Sequence, residues 1–101
     1  MELERLQTQD NSELSRFELK NGDEVLAFID YKIGRSGNWY LIHTEVVYKE
    51  QKGIGSKIVK ETLAIIGERG DKLIPSCPFV KAYIKRHPEE YMHLLADGVK
   101  L

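Results

Sequence analysis

The chain has 101 residues, with 15 Lys plus Arg against 16 Asp plus Glu and a formal charge of −1 when its three histidines are neutral. That length organises a single core, and 42% apolar with 31% charged content excludes a disordered or fibrous chain. The longest unbroken apolar stretch is the five residues from Val25 to Ile29, against the roughly 18–20 needed to cross a bilayer, which excludes a membrane-spanning helix.

In chain order, residues 1–13 are polar without a sustained period and are read as a flexible N-terminal arm or a short entry to the first strand, leaving 14–101 as one domain. Met1-Glu2-Leu3-Glu4-Arg5 has neither a basic nor an apolar export region, so a cytoplasmic protein is expected. Phe17 and Leu19 alternate with charged residues as in a half-buried strand, and Asn21-Gly22-Asp23 suits a tight hairpin turn. Glu24 to Ile33 predicts a second strand, and Gly34 to Asn38 a second turn. Trp39 to Val47 predicts a third strand, with Trp39, Leu41, His43, Glu45 and Val47 on one face.

The period then changes. Ile54, Ile58, Val59, Leu63 and Ile66 form one helical stripe, with Gly67 and Gly70 at its end. Lys72 to Cys77 predicts a short strand returning parallel to the third through a right-handed crossover, interrupted at Pro75. Pro78 suits a first helical position, with Phe79, Val80, Tyr83 and Ile84 as the apolar stripe of the next helix. Pro88 ends that helix before a short C-terminal one. The order β-β-β-α-β-α describes an α+β domain, an antiparallel three-stranded meander followed by a parallel βαβ crossover.

Three features could carry chemistry. At the strand-to-helix junction Lys52-Gly53-Ile54-Gly55-Ser56-Lys57, two glycines admit close backbone approach. Unpaired amides and the helix dipole favour an anion such as a diphosphate. The same residues would also serve as a turn that merely closes a βα unit. Cys77, the only cysteine, ends the fourth strand before Pro78. It is either a reactive thiolate at a helix start or a small buried hydrophobe. His43 is either a satisfied core residue or a base or sulfur partner. No metal site is expected, because His43, His87 and His93 lack ligand spacing. Aromatics are not interleaved with a basic stripe, so neither nucleic acid nor a membrane is an expected partner.

Ile42-His43-Thr44-Glu45-Val46, Gly53-Ile54-Gly55-Ser56-Lys57, Ser76-Cys77-Pro78-Phe79-Val80 and Arg86-His87-Pro88, in this order, resemble the minimal single-domain GNAT-type N-acetyltransferases over roughly residues 15–95. The resemblance implies a truncated GNAT-like fold and acetyl-coenzyme A as co-substrate, with an acyl group passed to an amine acceptor, small molecule or peptide. It implies a pantetheine track near Val46, a diphosphate on the amides from Lys52 to Lys57, and His43 with Cys77 as the catalytic pair. Tyr83 and Arg86 become further coenzyme contacts. Family diphosphate loops usually read Arg/Gln-x-x-Gly-x-Gly/Ala. Here Glu50 stands three residues before Gly53, and Gln51 takes the expected role. Two mechanisms fit: direct attack on the thioester, with the oxyanion held by amides near Val46 and Val47, or relay through an acetylated Cys77. A non-catalytic coenzyme A-binding or protein-interaction module is the alternative, motivated by the chain's brevity. No large exposed apolar segment forces assembly, so a monomer is favoured.

Overall fold

The computed structural model describes residues 1–101. Strands β1 (Gln7–Asn11), β2 (Arg16–Asn21), β3 (Glu24–Ile33) and β4 (Trp39–Val46) form an antiparallel meander. Helix α1 (Ile54–Glu68) crosses over to β5 (Leu73–Pro75), which pairs parallel with β4. Helix α2 (Pro78–Arg86) and the single turn α3 (Pro88–Tyr91) close the domain, giving sheet order β1-β2-β3-β4-β5. The predicted α+β class and the parallel crossover are both present, and the meander has one strand more than the sequence suggested.

That extra strand lies in the segment expected to be a flexible arm. Leu3–Arg5 forms one 3-10 turn, Leu6 is buried, and Gln7 to Asn11 pair with Lys20 to Arg16. Its inward positions are polar, which is why no apolar alternation marks it. Thr8 Oγ1 donates to Glu61 Oε1 at 2.8 Å, and Asp10 accepts from Tyr31 Oη at 2.6 Å and from Arg69 at 3.0 Å. Edge strand and helix are joined here by hydrogen bonds rather than apolar packing.

The meander turns follow their local chemistry. Gly22 takes φ 61° at the first position of the two-residue loop between β2 and β3, as a type II′ hairpin requires. Helix α1 buries Ile54, Ile58, Val59, Leu63 and Ile66 against the sheet. It ends in a Schellman arrangement, with Gly70 N–H donating to Gly67 O and Asp71 N–H to Ile66 O, while Gly70 holds φ 75°. Phe17, Tyr31 and Trp39 pack with ring centroids 4.7–5.5 Å apart at the far end of the core. Burial pushes the Tyr31 phenol up to about 12, helped by its bond to Asp10.

Strand β4 is irregular at the position that decides the site. Leu41 opposes Tyr31 and His43 opposes Asp30, so Ile42 is an extra residue, a β-bulge. Trp39 and Leu41 point into the core before it, and Thr44 and Val46 after it. The expected common face for Trp39, Leu41, His43 and Glu45 is therefore broken, and His43 with Glu45 turns to the uncovered face of the sheet.

Candidate active site

β4 and β5 run together only as far as Leu41 opposite Pro75. The last bond between the two segments is Cys77 N–H to Leu41 O at 2.8 Å. Beyond it β4 continues to Val46, whereas the segment after β5 leaves through Pro78 into α2. Pro75 has no amide to extend the ladder, and Pro78 with its preset φ starts the helix. The two strands thus fork, and residues from β4, α1 and α2 meet in the fork.

One wall is the start of α1. Gly53 caps the helix at φ 91°, a conformation that side chains beyond glycine seldom adopt, and it offers no capping oxygen. The first helical bond is Lys57 N–H to Gly53 O at 2.9 Å. The amides of Ile54, Gly55 and Ser56 have no acceptor in the chain. Bare amides at the positive end of a 15-residue helix, with Lys52 exposed and unpaired beside them, are the donor set a diphosphate needs. Lys57 is less available, being held 3.0 Å from Glu61. Glu50 is exposed without an ion pair, so it turns to solvent. Gln51 exchanges hydrogen bonds with Met1, donating to the Met1 carbonyl at 2.9 Å.

The opposite wall was not singled out from sequence. Phe79, 40% exposed, starts the apolar stripe of α2 and lies over Gly55, where a Cβ would sit 2.8 Å from its Cζ and 3.4 Å from Val46 Cγ2. Val46 and Phe79 are therefore packed directly against Gly55.

Cys77 lies at the base of the fork, 4% exposed, with Sγ 3.3 Å from Thr44 Oγ1. Its partner is Thr44. His43 projects from the other face of β4, its side chain 57% exposed and Nε2 3.3 Å from Glu45 Oε1. The bulge at Ile42 separates the two residues the sequence joined, and without it His43 would share a face with Leu41. The Val47 amide, expected among the oxyanion donors, is occupied by Leu26 O at 2.8 Å, and Tyr48 N–H shares that acceptor at 3.0 Å. The other two residues expected to contact the coenzyme, Tyr83 and Arg86, lie further along α2. Tyr83 is buried, its ring tilted against those of His87 and Tyr91 with centroids 4.7 and 5.6 Å away. Burial and a bond to Tyr83 hold the Tyr91 phenol well above its ordinary range. Arg86, seven residues beyond Phe79, stands about 10 Å further along the helix axis.

No group of three or more His, Cys, Asp or Glu side chains is placed to hold a metal, and no helix is long and apolar enough to cross a membrane. No curated protein matches the chain. The model of the GCN5-related N-acetyltransferases matches residues 16–94, from the first residue of β2 to the end of the 3-10 turn Met92–Leu94. That span contains the forked strands, the glycine junction and Cys77, and over it the chain belongs to the GCN5-related N-acetyltransferase family, a family of acyl-transfer domains.

Proposed function

We propose that the protein transfers an acetyl group from acetyl-coenzyme A to an amine, by direct attack and without an acyl-cysteine. The observation that carries this reading is the trio of unpaired amides at Ile54, Gly55 and Ser56 opening onto the fork. A diphosphate held there by the amides and Lys52 sends its pantetheine arm past Val46 and Gly55 toward Cys77. The bound thioester supplies an acyl carbon open to nucleophiles. Each residue then has a limited task. The α1 amides and Lys52 bind the diphosphate. Val46 and Phe79 line the arm and exclude water. His43, on the open face with Glu45 beside its ring, takes the proton that the amine loses as its nitrogen bonds the acyl carbon and the carbon–sulfur bond breaks. The separation of His43 from Cys77, and the pairing of the thiol with Thr44, favour direct attack over a relay in which the imidazole activates the sulfur.

Calorimetric titration with coenzyme A and with pantetheine tests this reading. Coenzyme A is expected to bind at least tenfold more tightly, because pantetheine lacks the groups that meet the amides. Equal affinities, or no binding of coenzyme A, would overturn it.

A further inference from the structure

The uncovered face of the sheet carries a feature that neither the coenzyme nor the core uses. Ile33, Tyr40 and Ile42 are 50, 39 and 46% exposed, three of eight large apolar side chains left in solvent. They line one concavity of about 510 Å³ together with Lys32, Gly34, Arg35 and Ser76. The site is built rather than incidental. Gly34 lies so close to the Tyr40 ring that a Cβ there would stand 2.9 Å from Cε2, and Gly34 N–H to Asn38 O and Gly37 N–H to Gly34 O brace the turn at 2.9 and 3.0 Å. The bulge at Ile42 brings His43 onto this face beside it. Neither Lys32 nor Arg35 has a carboxylate within ion-pairing distance, and no acid lines the concavity.

Its parts are ordered along β4. The cations lie at the turn end, where Lys32 pairs with Tyr40, and the fork end is marked by Ile42 and Ser76, the neighbours of His43 and Cys77. From Tyr40 to Ile42 the strand rises about 7 Å. We propose that this concavity is the acceptor site and takes a small primary amine separated from a carboxylate by an apolar stretch of about that length. The role as acceptor rests on the acetyl-transfer reading. The carboxylate pairs with Lys32 and Arg35, the apolar body lies on Ile33, Tyr40 and Ile42, and the amine reaches the fork. There its lone pair forms the bond to the acyl carbon, the pair from the broken carbon–sulfur bond leaves with the thiolate, and the amine proton passes to His43. Unpaired cations select against an acceptor with a second ammonium in place of the carboxylate.

The test uses the full chain and a matched set: 6-aminohexanoate, hexanoate, hexylamine and cadaverine. In amide NMR titrations, 6-aminohexanoate and hexanoate are expected to shift Gly34, Arg35, Tyr40 and Ile42, and hexylamine is not. With acetyl-coenzyme A, kcat/KM for 6-aminohexanoate should exceed that for cadaverine about five- to tenfold. The double variant Lys32→Gln with Arg35→Gln should erase both preferences, as two exposed charge pairs would. Absence of shifts at these amides, or a preference for hexylamine or cadaverine, overturns the proposal. Failure of the acetyl-transfer reading shows separately, as loss of coenzyme A binding while hexanoate still shifts the pocket, and that result also removes the acceptor role.

Discussion

Replacing Gly55 with alanine places a methyl group against the Phe79 ring and Val46, which pack on this glycine. The new Cβ would stand 2.8 and 3.3 Å from Phe79 Cζ and Cε2 and 3.4 Å from Val46 Cγ2. Only the end of the Phe79 side chain must yield, and that ring is 40% exposed, so it swings outward at a cost of about 0.5–1.5 kcal/mol. Alanine returns up to about 1 kcal/mol through its better helix propensity. The two effects nearly cancel, and the melting temperature should move by less than roughly 6 °C. Binding should behave differently. The methyl group and the displaced ring stand where the diphosphate must approach the amides of Gly55 and Ser56, and losing one hydrogen bond to a charged group costs about 1.5–3 kcal/mol. Coenzyme A affinity should therefore fall by about 10- to 100-fold in calorimetry, while thermal melts stay near wild type. A Gly55→Ala variant that folds and binds coenzyme A as tightly as wild type would refute the placement of the coenzyme in the fork.

Thr62 is fully buried on the core side of α1 with its hydroxyl unpartnered, so Thr62→Val should stabilise the fold by about 1 kcal/mol, raising the melting temperature about 4–8 °C. The Tyr31 phenol is raised from 10.0 to about 12, so the native state holds a proton that the unfolded chain releases. Its contribution to stability is complete below pH 10.0 and is lost as pH climbs toward about 12. Denaturation midpoints followed through that window should fall less steeply for Tyr31→Phe, with the residual slope belonging to Tyr91. Cys77→Ala should lose about 1 kcal/mol of stability yet retain acetyl transfer within about threefold. Rapid-quench mass spectrometry of the wild type should find no acetyl adduct on the sulfur, and an adduct formed at the turnover rate would reinstate the relay.

Much of the fold is legible in the sequence because its elements are amphipathic by the ordinary rules. The α1 stripe, the glycines that end that helix, Pro78 at the start of α2 and the parallel return of β5 all follow from period and turn chemistry. Strand β1 was hidden because Thr8 and Asp10 satisfy the sheet's inner face through Glu61, Arg69 and Tyr31 rather than through apolar contact. The bulge at Ile42 was hidden for the opposite reason. Tyr40, Ile42, Thr44 and Val46 continue a regular alternation, and an inserted residue is visible only from the register of β3. That single residue also accounts for His43 lying on the opposite face of β4 from Cys77 and its partner Thr44. The bare amides of α1 were legible, since two glycines without a capping side chain leave them no partner. The closing wall was not, because Phe79 reads as one more core residue of α2 until its contact with Gly55 is seen.

Under the proposed reading, the bulge lets one short strand serve two substrates. A regular β4 would alternate all the way along, so Thr44 and Val46 would lie on the face of Tyr40 and Ile42, opposite the core. The inserted residue turns Thr44 and Val46 inward, toward Cys77 and Gly55, while keeping Tyr40, Ile42 and His43 outward. One eight-residue strand thereby turns Thr44 and Val46 toward Cys77 and Gly55 on one side and carries Tyr40, Ile42 and His43 on the other. Under the proposed reading the two substrates approach from opposite faces and meet where β5 has departed. Deleting Ile42 would leave Leu41 opposite Tyr31 and His43 opposite Asp30 in an unbroken ladder, so His43 should stay outward and Thr44 and Val46 inward. Under the proposed reading the loss would fall on the acceptor surface that Ile42 helps to line, as a raised KM for the amine with coenzyme A binding retained.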